Sequence, residues 1–91
     1  MTDAQCLATR TELLSRARLL PLNNPVRLRC ERMAKYLLGM TGDDPILRAH
    51  AWELYEAEKA DLANYMAGTG AYDPANTIDV LAYVKAQREA V

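Results

Sequence analysis

His50 is the only histidine in the chain. With Glu53 three residues further on, it offers two ligands on one face of a helix. A zinc site takes three or four protein ligands, so this pair alone falls short, and a solvated helix residue is the plainer reading. Cys6 and Cys30 are the only thiols. Each falls among apolar residues at helical spacing and is read as a buried, inert thiol. A bridge between them is conceivable if their helices are neighbours, but two cysteines make no disulfide scaffold. No histidine is placed by sequence to activate either thiol. Glu53, Glu56 and Asp61 imitate part of a carboxylate metal cluster, yet no Glu-x-x-His motif accompanies them. Gly68-Thr69-Gly70-Ala71 lacks the preceding strand and the lysine of a phosphate-binding loop. The expectation is a protein that is not an enzyme and that uses no metal or cofactor.

What remains is charge and exposed apolar surface. The net charge is −1, which excludes a uniformly basic nucleic-acid coat. That balance conceals two unlike halves. Residues 1–40 carry seven Lys or Arg against three Asp or Glu, and residues 41–91 carry four against nine, which gives +4 and −5. One reading is that the halves attract each other in the fold. The other is that each is a contact face. Arg27, Arg29, Arg32 and Lys35 gather on one side of a helix, with Leu28 and Tyr36 projecting among them. Arginine beside aliphatic and aromatic groups is the composition of a binding hot spot, and it also suits phosphates. Glu53, Glu56 and Asp61 form the opposing candidate, suited to a basic protein surface. Tyr72 and Tyr83 are weaker candidates, and Trp52 is read as packing.

Two charges sit where apolar residues are expected. Arg10 falls in the middle of the first helix's apolar stripe, and Glu58 in the middle of the third's. Burying either alone is costly. The preferred reading is that they meet as a pair that fixes helix register. The alternative is that one of them faces a partner.

These residues need helices to position them. Ala, Leu, Glu and Arg dominate, β-branched residues are sparse, and no segment alternates in the manner of a strand. Asn24-Pro25, Asp44-Pro45 and Asp73-Pro74 each join an N-cap acceptor to a proline suited to the first helical position. Helices are expected at about 3–19 (capped by Thr2 or Asp3), 25–40, 45–67 and 77–90 (capped by Thr77). The stretch from Gly68 to Thr77 is read as the longest and most mobile loop. The third helix has two apolar faces, one with Leu47, Ala51, Leu54, Tyr55, Leu62, Tyr65 and Met66, the other with Ala49, Trp52, Ala60 and Ala63. It is therefore expected to be the central helix, or to admit a second protomer along its alanines. The fold class is all-α, a single domain with a small bundle of about four helices. With 91 residues its core is thin, and homodimerisation is the other route to completing it.

No apolar run reaches the ~18–20 residues of a membrane span. The start, Met1-Thr2-Asp3-Ala4-Gln5, lacks the basic-then-apolar layout of a signal peptide, so a cytoplasmic protein is expected. The functional expectation is a non-enzymatic module that binds a protein or nucleoprotein and occupies its surface. Small size and absent chemistry suit an inhibitor of a host protein carried by a phage or plasmid. That is the manner of anti-CRISPR proteins, a likeness of class with no residue-level match. The alternative is a small DNA-binding regulator of helix-turn-helix type. Met33-Ala34-Lys35-Tyr36-Leu37-Leu38-Gly39-Met40 faintly resembles the first helix and turn of such a unit, and direct nucleic-acid contact would run through the basic face of the second helix. Against it, Ala34 to Gly39 is one residue too long. The next helix also turns acidic, where a recognition helix presents basic and amide side chains.

Overall fold

The computed structural model describes residues 2–69 together with 84, 85 and 89. Three helices follow one another: α1 (Asp3–Ala17), α2 (Pro25–Gly39) and α3 (Pro45–Thr69). There is no strand among the described residues. Val84, Lys85 and Glu89 are helical, while most of the expected fourth helix, with Tyr72, Asp73-Pro74, Thr77 and Tyr83, lies outside the described residues. The chain is thus all-helical, with three described helices rather than four.

Each helix starts where its sequence dictates. Thr2 caps α1 through a reciprocal box: its Oγ1 accepts from the Gln5 N–H at 3.1 Å, and its own N–H donates to Gln5 Oε1 at 2.8 Å. Two free N-terminal donors are satisfied at once. Asn24 Oδ1 accepts from the N–H groups of Val26 and Arg27 at 2.8 and 3.3 Å. Asp44 Oδ1 does the same for Ile46 and Leu47 at 2.9 and 3.5 Å. In both, the following proline fills the first helical position, where no N–H is needed. α3 runs on to Thr69, so Gly68 and Thr69 belong to its last turn, not to the loop expected there.

The core is one cluster drawn from all three helices. Cys6 and Ala17 of α1, Val26, Cys30, Met33 and Leu37 of α2, and Ala51, Tyr55, Leu62 and Met66 of α3 are buried, joined by Leu20, Met40 and Val84. Leu13, Tyr36 and Tyr65 pack against it from the edge. Both cysteines are free thiols within this cluster. Burial pushes the Cys30 thiol up to about 11, with the nearby Glu31 adding to it. Burial likewise raises Tyr55, helped by Glu56 and Cys6.

The expectation that the third helix is central turns on the fourth helix, most of which lies outside the described residues. Among the described residues α2 is the middle element, with α1 against one side and α3 against the other. Short turns at both ends of α2 fold its two neighbours back upon it. α2 and α3 approach closely at Gly39, where an added Cβ would lie 3.2 Å from the Ala51 Cβ. α1 meets α3 at its first turn, where Arg48 reaches Asp3 at 3.4 Å. At 25 residues against 15 for each of the others, α3 is the long element, about 37 Å at 1.5 Å per residue. No described helix is long and apolar enough to cross a membrane.

Candidate partner-binding surfaces

The two candidate faces are brought to one seam. α2 and α3 run side by side, and the flank of α2 that carries Arg29, Arg32 and Tyr36 turns toward α3. Arg32 donates to Glu58 Oε1 through both Nε and NH2, at 3.0 and 2.7 Å. The Glu58 side chain is only 13% exposed, the Arg32 side chain 47%. This hydrogen bond holds the Arg32 guanidinium above its ordinary range, and Asp61 adds to the effect. Glu58 therefore finds its partner on α2 and not at Arg10. Arg10 is half-buried and makes no ion pair among the described residues. The register of the first helix rests instead on small and apolar residues, Cys6 and Ala17.

The other arginines of the basic face are also engaged. Arg29 lies over the Tyr65 ring, with Cζ 5.1 Å from the centroid, and its NH1 reaches back to the Pro25 carbonyl at 3.4 Å. Its Nε is buried with no hydrogen-bond partner, so the ring face is what compensates that edge of the cation. Arg27 donates from NH1 to the Leu20 carbonyl and from Nε to Glu31, each at 2.8 Å, and ties the α1–α2 turn to the second helix. Lys35 and Leu28 remain exposed, and Tyr36 packs at the core edge. Three of the four cations thus have work inside the fold, which leaves Lys35 as the one facing outward without a partner among the described residues. The attraction between the halves is realised at Arg32–Glu58. Arg48–Asp3 runs the other way, with the cation on the acidic half.

The acidic candidates are divided. Asp61 faces the Arg32 side of the seam. Glu53 is exposed and Glu56 half-buried, and neither forms an ion pair among the described residues. They belong to the N-terminal half of α3, where Ile46 and Leu47 are the most exposed large apolar side chains of the described helices. Ile46 is 78% exposed, Leu47 63%, Trp52 42% and Leu54 36%. Trp52 leans toward Tyr55 with ring centroids 6.0 Å apart. Ala49, His50 and Ala57 are exposed among them. Leu47, His50, Leu54 and Ala57 follow a three–four spacing, which is the seam of a helix pair. Ile46 was missing from the sequence-based candidates, and Leu47 and Leu54 stood there as core. The available signal was that apolar residues surround α3, which needs neighbours on more than one side.

Among the described residues no group of three His, Cys, Asp or Glu side chains could hold a metal ion. No protein-family model, curated protein or solved structure matches the chain.

Proposed function

We propose that the protein is a non-enzymatic binding module that acts by occupying a surface of a partner macromolecule, and that the N-terminal half of α3 makes the contact. The observation that carries this is the exposure of Ile46, Leu47 and Leu54 on one side of that half of the helix. Contiguous apolar surface of this kind marks interaction sites in soluble proteins. Occupation without chemistry is the work of an inhibitor or adaptor. An inhibitor of a host protein or nucleoprotein, carried by a phage or plasmid and acting in the cytoplasm, is the finer form of the proposal. The helix-turn-helix alternative is less well supported, because Arg27, Arg29 and Arg32 are engaged inside the fold and α3 is acidic.

The test is affinity purification of the tagged full chain from its native cell, beside an Ile46→Ser/Leu47→Ser variant. Both side chains are largely in water, so the urea midpoint of the variant is expected to stay within about 0.5 kcal/mol of the parent. The parent is expected to retain a partner that the variant loses. Equal recovery by the two proteins overturns the assignment to this face.

A further inference from the structure

We infer that the partner presents a basic amphipathic helix to the N-terminal half of α3; this rests on the function proposed above. The argument begins with the spacing. Leu47, His50, Leu54 and Ala57 form an exposed stripe of three–four spacing, and Ile46 widens it at the start. A stripe with that period matches the a and d positions of a second helix. Residues 46–57 span about 18 Å, enough for roughly three turns of a partner.

Charge then selects among occupants. Asp43, Asp44 and Glu53 are exposed at or beside this stripe. None of the three forms an ion pair among the described residues. The one arginine nearby, Arg48, is drawn to Asp3. An apolar stripe bordered by carboxylates that face no cation is complementary to leucines flanked by lysines or arginines. A second copy fits poorly. Two such stripes laid antiparallel around a two-fold axis near residue 52 would set Glu53 beside Glu53 of the other copy. The same carboxylates repel nucleic acid and anionic lipid.

The extent of α2 explains why the start of the stripe is open. α2 ends at Gly39, opposite Ala51, so Ile46 and Leu47 lie past its reach. Leu54 and Ala57 lie on the C-terminal side of that point and are exposed there, on the flank of α3 away from the buried Tyr55 and Leu62.

The test uses the full chain and two synthetic peptides of about 18 residues. In one, leucines at three–four spacing alternate with lysines; in the other, glutamates replace the lysines. Binding is read by calorimetry at low and physiological salt. The lysine peptide is expected to bind at least tenfold more tightly than the glutamate peptide, and more weakly as salt rises. Leu47→Ser and Glu53→Lys should each weaken it about tenfold. Glu12→Lys, with the same change in net charge on α1, should not. Equal binding of both peptides, or equal loss with Glu12→Lys, overturns the inference. So does concentration-dependent dimerisation abolished by Leu47→Ser, which makes the occupant a second copy. Protection of Leu47 and Leu54 from hydroxyl radicals in the free monomer overturns it too, since the chain then covers its own stripe. If the lysine peptide fails while Ile46→Ser/Leu47→Ser still loses the cellular partner, the basic helix is wrong and the binding face stands. If neither matters, both fall.

Discussion

The two halves of α3 are alike in composition and unlike in fate. In the C-terminal half, Leu62 and Met66 are fully buried, Tyr65 lies under the Arg29 guanidinium, and Glu58 is closed off by Arg32. In the N-terminal half, Ala51 and Tyr55 are buried, but Leu47 and Leu54 on the same stripe stand in water. A helical wheel groups the four on one broad face but sets Leu47 and Leu54 toward one edge of it, about 60–120° from Leu62 and Met66. At Leu47 the length of the neighbour adds to the difference. α2 spans 15 residues and α3 spans 25, so the first turn of α3 projects beyond its neighbour. Periodicity tells which face is apolar; the end of the adjacent helix helps decide how much of it is covered.

The largest expected effect tests that contrast directly. Leu62 is 0% exposed and Leu47 63%. Leu62→Ala should cost about 2–5 kcal/mol, the transfer term plus a cavity, whereas Leu47→Ala should cost less than about 0.5 kcal/mol. Urea unfolding of the two variants measures both. A Leu47→Ala cost comparable to that of Leu62→Ala would mean that the N-terminal half is covered after all.

A second contrast is chemical. Cys30 is sealed in the core and its thiol is pushed from an ordinary 9.0 up to about 11. The folded state therefore favours the protonated thiol. Its contribution is fully present below pH 9 and is lost as pH rises through 11, by about 2–3 kcal/mol. Tyr55, also raised by burial, works in the same direction. Thermal melts from pH 8 to 11 should show stability falling above pH 9, and Cys30→Ala, though less stable at neutral pH, should lose less across that window. An identical slope in the variant would locate the alkaline sensitivity elsewhere.

Much of this fold is legible in the sequence because its signals are local. Asn24-Pro25 and Asp44-Pro45 mark the starts of α2 and α3, and Thr2 with Gln5 marks the start of α1; all three sit within one turn of the residues they cap. The burial of Cys6, Cys30, Met33, Leu37 and Leu62 follows from periodicity in the same way. What the sequence does not carry is which helix pairs with which, and over what length. The apolar residues that surround α3 point to it as the centre, whereas among the described residues α2 holds the middle. The same gap leaves Arg29 and Arg32 on an apparent outer face, because arginine is read as surface until an acceptor is seen across the seam. Glu53, Glu56 and Asp61 were legible as a group, but only the structure divides them between the seam and the projecting half.

The smallest effect separates a register-fixing pair from a mere sequence anomaly. Arg10 and Glu58 both interrupt apolar stripes, and position on the wheel makes them natural partners. The geometry assigns Glu58 to Arg32 instead, through two donors on one carboxylate oxygen. Because the Arg32 side chain is 47% exposed, solvent screens the pair and its coupling should be about 1 kcal/mol. Two double-mutant cycles on the urea midpoint decide the matter. Arg32→Met with Glu58→Gln should be coupled by that amount, while Arg10→Met with Glu58→Gln should be additive within about 0.3–0.5 kcal/mol. If the coupling appeared in the second cycle and not the first, α1 would have to lie closer to α3 than to α2. The placement of α2 between α1 and α3, and with it the account of why the start of α3 is left open, would then fail.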